Sequence, residues 1–191
     1  EPIAQFEGLR ARTVSAASLS KMLGASKMSL HELELSWENV PRPEASIPKD
    51  LLIVSDNTEF ATSLADVEGA QLVTLGDLSA TLRTSTPSWV VYCASLSADT
   101  DTQEGREEEL FADLLSAAQI LESEKPGRGL CILTSGAKAV APGDSPVLAM
   151  GTLAGLGRTI DAECPTMPLL QLDLDPGRAP DPQDVFDALA L

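Results

Sequence analysis

Five short apolar runs without polar alternation punctuate the chain beyond residue 50: LLIVS (Leu51 to Ser55), QLVTL (Gln71 to Leu75), SWVVYCA (Ser88 to Ala94), GLCILT (Gly129 to Thr134) and LLQLDLD (Leu169 to Asp175). A run of that length, apolar at successive positions, predicts a strand covered on both faces. Between the runs lie segments of helical period. The clearest is Gln103 to Glu124, where Leu110, Phe111, Leu114, Leu115, Ala118 and Leu121 form one apolar stripe. Thr100 with Gln103 and Asp101 with Glu104 offer capping-box starts, and Pro126-Gly127 offers a stop. Ser145 before Pro146 predicts another helix, with Ser145 as the cap and proline in the first turn. Met150, Leu153, Gly157 and Ile160 then share one face of it. Strands alternating with helices imply crossover units. The expected fold is an open, mostly parallel, Rossmann-like α/β sheet of about five to seven strands, with helices on both faces.

The first fifty residues have a different texture. FEGLRARTVSAAS (Phe6 to Ser18) alternates early and reads as the last strand of something upstream, and the Ser- and Ala-rich stretch to Lys27 reads as linker. LHELELSW (Leu30 to Trp37) places Leu30, Leu33, Leu35 and Trp37 in imperfect alternation, as in a half-buried strand. Pro41, Pro43 and Pro48 then enforce an extended connection. The chain opens at Glu1 and closes in the apolar run VFDALAL, so a piece of a longer polypeptide is expected, with that run as one candidate contact to the remainder.

Composition narrows the function. Hydrophobic residues make up 43% of the 191 residues but aromatics only 4%, so the core is one of Leu, Val, Ile and Ala. A formal charge of -16 makes nucleic acid and anionic membrane surfaces poor partners. No apolar run approaches the roughly 18 to 20 residues of a bilayer span. Cys93, Cys131 and Cys164 are dispersed, which suits a reducing, cytoplasmic compartment better than a disulfide framework.

An open α/β sheet binds ligands at the carboxyl ends of its strands, so chemistry is expected there. After the first run comes Asp56-Asn57-Thr58-Glu59-Phe60, with two acids and no glycine to let a pyrophosphate approach the backbone. Gly151, Gly155 and Gly157 match GxxxGxG, an NADP-binding spacing, with Asp173 placed like a ribose-binding acid. That loop must follow a strand, however, and only Val147 to Met150 stands before it. The alternative makes the three glycines thin points on a helix, each costing about 0.8 to 1 kcal/mol relative to alanine and so calling for a close neighbour. That packing reading is favoured. A reductase of this kind also needs a Tyr and a Lys four residues later. Tyr92 is the one tyrosine and is followed at that distance by Leu96, while Thr134 stands four residues before Lys138. No such pair can be built, and Tyr92 reads as a strand residue with its hydroxyl tied to a neighbour. Ser145 has no base within reach, since His31 lies far upstream and no GxSxG elbow occurs. His31 stands apart from the dispersed cysteines, so no metal site is expected. Glu104, Glu107, Glu108 and Glu109 read as the solvated start of a helix, where the dipole favours negative charge.

LHELELSWENVPRP, the glycine-poor core, LTSGAKAVAPGD, LAGLGRTIDAECP and LLQLDLDP occur in an order that resembles the structural ketoreductase subdomain of type I polyketide synthases. The resemblance spans roughly Leu30 to Leu191, and FEGLRARTVSAASL resembles the tail of a preceding dehydratase domain. It implies residues 1–27 as that tail with its linker and residues 28–191 as the subdomain. It further implies a truncated, short-chain-reductase-like Rossmann fold that is not itself an enzyme and carries no catalytic residue, metal or cofactor. Such a subdomain packs on a catalytic ketoreductase subdomain, with enoyl reductase and dehydratase domains in the same polypeptide. The pair is a pseudo-ketoreductase where no active partner exists. NADPH and phosphopantetheine belong to neighbouring domains, and the parent synthase is expected to be homodimeric. Two departures stand out: Leu153-Ala154 replaces an aromatic surround, and Asp173-Leu174-Asp175-Pro176 looks closer to iterative or highly reducing synthases. The rival expectation is an NADP-dependent reductase using Gly151, Gly155 and Gly157. A third, an acyl- or small-ligand-binding domain, has no polar constellation to support it.

Overall fold

The computed structural model describes residues 50–55, 59–67, 69–94, 106–125, 127–141 and 143–190. The two upstream strand expectations, His31, the paired capping boxes, the first strand-to-helix turn and the boundary at residue 27 lie outside these residues.

The chain runs β1 (Leu51–Val54), α1 (Glu59–Ala65), β2 (Ala70–Val73), α2 (Leu75–Thr84), β3 (Trp89–Cys93), α3 (Arg106–Glu124), β4 (Gly129–Ser135), α4 (Leu148–Glu163), β5 (Leu169–Leu174) and α5 (Pro182–Leu189). Each of the five apolar runs supplies one strand. All neighbouring strands pair parallel, in the order β2-β1-β3-β4-β5. A dinucleotide-binding sheet of order 3-2-1-4-5-6 leaves this order when its third strand is removed and the rest renumbered. The point where the strand order reverses therefore lies between β1 and β3.

Because side chains alternate along a strand, the sheet divides its apolar residues between two layers. Leu52, Val54, Val90, Leu130 and Ile132 face α2, α3 and α4, meeting Leu78, Leu114 and Leu153. Ile53, Val91, Cys131 and Leu133 face α1 and α5, meeting Phe60, Leu64 and Phe186. Helices thus cover both faces. Leu114, Leu121 and Leu153 have no exposed surface at all; burying each stabilises the fold by about 1.5 to 3 kcal/mol.

Three expectations are corrected. On α3 the buried arc is Leu110, Leu114, Ala117, Ala118 and Leu121, while Phe111 and Leu115 remain 38% and 36% exposed. The two sit about 100° further round the helix, beyond the arc that the sheet and its neighbouring helices cover. Helix α4 starts at Leu148 with Val147 as its cap residue and no side-chain cap bond, so exposed Ser145 does not cap it. The Val147 amide is instead bound to the Gly136 carbonyl at 2.8 Å, and the Asp144 carboxylate reaches back to the amides of Val140 and Ala141 at 2.9 and 2.7 Å. Finally, in the C-terminal apolar run Val185, Phe186 and Leu189 are buried in the chain's own core, so these three side chains are not free for an outside contact.

Candidate functional site

At the reversal point, Val54 and Ser55 end one strand and Tyr92 and Cys93 end the other. Leu75, at the start of α2, and Leu110 and Asp113, on α3, lean over them. Among the described residues they line a crevice of about 20 Å³, room for roughly one water. The Tyr92 hydroxyl donates to the Leu110 carbonyl at 3.3 Å, as expected of a buried phenol. Ser55 is 6% exposed and its Oγ has no hydrogen-bond partner.

The carboxyl ends of β4 and β5 are joined through Asp173. Its carboxylate accepts from Thr134 Oγ1 at 2.9 Å, from the Ala137 amide at 2.8 Å and from the Lys138 amide at 3.0 Å. Gly136 makes the turn between these donors with φ of +67°, a left-handed value that a side chain rarely adopts. Asp173 therefore spends its acceptor positions on this loop. The sequence pointed to the residue but not to its partners, since the donors are two backbone amides and a threonine from 35 to 39 positions away.

Gly151, Gly155 and Gly157 all lie inside α4 and none belongs to a strand-to-helix loop. Their surroundings differ. A Cβ on Gly157 would stand 2.8 Å from the Gln171 carboxamide and 2.9 Å from Ile132 Cδ1. On Gly151 it would be 3.7 Å from the Ala137 carbonyl, and on Gly155 it would meet nothing within 4 Å. The expectation that all three answer to close packing is thus corrected to Gly157 alone. Gln171 exploits the gap: oriented to satisfy both ends, its carboxamide donates to the Ala154 carbonyl at 3.0 Å and accepts from the Arg158 amide at 3.3 Å. No sequence signal marked this role.

Among the described residues no group of three or more His, Cys, Asp or Glu could hold a metal ion, and no helix is long and apolar enough to cross a membrane. Cys93 and Cys131 are buried in the sheet. Burial, and secondarily the neighbouring Cys93, pushes the Cys131 thiol up to about 12, leaving a poor nucleophile.

The family model for the Rossmann-fold domain of the polyketide synthase extender module SpnB matches residues 35–191. The chain belongs to this family. No curated protein sequence matches it. Among solved structures, it is similar to A-type ketoreductases from a modular polyketide synthase, with 23% identity over 81% of this chain and 36% of that one and a TM-score of 0.63. An A1-type ketoreductase shares 24% identity over 72% of this chain and 33% of its own, with a TM-score of 0.55. A multidomain structure holding adenylation, ketoreductase and pseudo-Asub domains of a keto acid-selecting NRPS module shares 13% identity over 81% of this chain and 16% of its own, with a TM-score of 0.64. At these identities the likeness is one of fold. The SpnB-type Rossmann domain thus spans about a third of the length of the ketoreductases it resembles, 36% and 33% for the two compared.

Proposed function

We propose that this SpnB-type Rossmann domain is the non-catalytic, structural subdomain of a polyketide synthase ketoreductase. The observation that carries the reading is the filled crevice between β1 and β3. A dinucleotide needs several hundred Å³, and among the described residues Leu75, Tyr92 and Leu110 line a space of only about 20 Å³, which supports a site without a coenzyme. The other groups that might serve one are committed elsewhere: Asp173 to its loop, the Tyr92 hydroxyl to Leu110, and Gly151 to Gly157 to the interior of a helix. No step of a reduction is assigned to this chain. NADPH and phosphopantetheine belong to neighbouring domains of the parent synthase, a cytoplasmic and homodimeric multienzyme.

Its role in this reading is mechanical. The domain presents apolar surface to the catalytic ketoreductase subdomain and helps to seat the enoyl reductase and dehydratase domains of the same polypeptide. Two neighbouring helices supply that surface. Phe111 and Leu115 project from α3, Leu148 of α4 is 72% exposed, and Gly155 leaves the outer face of α4 thin. Ketoreductases nearly three times as long as the matched stretch provide ample polypeptide to cover it.

Isothermal calorimetry of the 191-residue chain with NADPH tests the reading. No binding is expected at coenzyme concentrations up to millimolar. Micromolar affinity for this chain alone would instead establish the NADP-dependent alternative.

A further inference from the structure

The sheet ends at β2 with nothing beside it among the described residues. The carbonyls of Gly69 and Val73 face β1, since they accept from the amides of Leu51 and Ser55. The two-residue alternation of a parallel ladder then turns the N–H and C=O of Leu72 the other way, toward the open side. Natural sheets guard such edges by keeping them short or with lysine, proline or a bulge, and of these β2 has only its brevity, four residues. The β2 sequence AQLV has no lysine or proline, and its register with β1 runs unbroken from Ala70 to Val73.

An open groove of about 600 Å³ follows this edge, walled by β2 and α2 through Gln71, Thr74, Asp77, Thr81 and Thr84. Its hydroxyls already serve the helix. Thr74 Oγ1 donates to Asp77 Oδ2 and accepts from the Asp77 amide, Thr81 donates to the Asp77 carbonyl, and Thr84 donates to the Thr81 carbonyl. A small molecule would need free polar groups converging on a point. The edge offers a row of peptide groups instead, and extended backbone is what fits a row. It is also the position that a further strand holds in the order 3-2-1-4-5-6.

The groove also restricts the side chains of its occupant. Asp77 is the one acidic or basic side chain in its wall among the described residues, and the whole chain carries -16, which favours basic over acidic residues on that side. On the opposite face the neighbours are half-buried Ala70 and Leu72, which favour aliphatic ones. We propose that the β2 edge accepts a short strand from another part of the parent synthase, with basic or hydroxyl side chains toward α2 alternating with aliphatic ones. This inference goes beyond the scaffold reading and does not depend on it.

The test is amide exchange at Leu72, read by NMR on the 191-residue chain. The probe is an eight-residue peptide alternating lysine and valine, compared with a glutamate–valine version and with a lysine–valine version N-methylated at every residue, so that neither of its edges can pair. The lysine–valine peptide is expected to slow Leu72 exchange by about tenfold, and the other two to leave it unchanged. Absence of slowing, equal slowing by the N-methylated peptide, or a Leu72 amide already protected without peptide would each overturn the proposal.

Discussion

Gly157 and Gln171 are fitted to each other: the absent side chain of one is the space in which the carboxamide of the other joins the Ala154 carbonyl to the Arg158 amide. The pair locks α4 to β5 at a single point, and it separates two glycines that look alike in sequence. Gly157→Ala gains helix propensity of about 0.8 to 1 kcal/mol but displaces Gln171 and crowds Ile132, an overpacking cost of roughly 1 to 3 kcal/mol. Net destabilisation by about 1 kcal/mol is expected from urea unfolding. Gly155→Ala meets no neighbour and should stabilise by roughly 0.8 kcal/mol. The same sign for both substitutions would show that helix propensity alone governs α4.

Asp173→Ala leaves Thr134 Oγ1 and the amides of Ala137 and Lys138 without their acceptor. A loss of about 2 to 3 kcal/mol is expected, since one of the partners removed is charged. Asp173→Asn keeps one acceptor oxygen and should recover part of it. Faster amide exchange at Ala137 and Lys138 in the alanine variant, beyond that elsewhere in the fold, would place the loss in the loop.

Glu124 holds α2 to α3. Its Oε1 accepts from Arg83 Nε at 3.0 Å, Arg83 Nη2 at 2.8 Å and Ser79 Oγ at 2.8 Å. The Arg83 hydrogen bond first, then that of Ser79, holds its carboxyl below the ordinary 4.5. A carboxyl depressed by folding stabilises fully above its unfolded value and loses that contribution as pH falls through its folded value. Arg83→Ala should therefore weaken the dependence of stability on pH below about 4.5 and leave it unaltered near neutrality, as measured by thermal melts across that range.

The Cys131 thiol, pushed up to about 12 by burial, should resist iodoacetamide at pH 8 in the folded chain and react once urea unfolds it. Mass spectrometry after timed labelling checks this. Labelling at the rate of a free thiol would contradict its place in the sheet.

Replacing Phe111 and Leu115 together by glutamine should change the stability of the isolated domain by less than about 0.5 kcal/mol per site, because neither side chain is buried. On the scaffold reading, a catalytic ketoreductase subdomain added to this chain raises its melting temperature by several degrees, and the same double substitution should remove that gain. A gain that survives the double substitution would move the contact to another face.

The strands were legible because both faces of this sheet are covered, which compresses the apolar signal into short uninterrupted runs. Helix existence was legible for the same reason, but helix detail depended on neighbours. Phe111 and Leu115 are as apolar as Leu110 and Leu114, and only the width of the covering layers decides which pair is inside. Ser145 has the chemistry of a cap, yet the bond from the Val147 amide to Gly136 delays the helix past it. Gly155 and Gly157 could not be told apart because the atom that distinguishes them belongs to Gln171 on another element. The absence of a Tyr–Lys pair was legible outright, being a matter of spacing along the chain.

The filled space between β1 and β3 bears on how this domain holds its shape in a living cell. A protein whose interior awaits a small molecule becomes firmer or looser as the supply of that molecule rises and falls. Here Tyr92, Leu110 and Leu75 line that space with atoms the chain always carries, so on the scaffold reading the firmness of this end of the sheet would be independent of metabolic state.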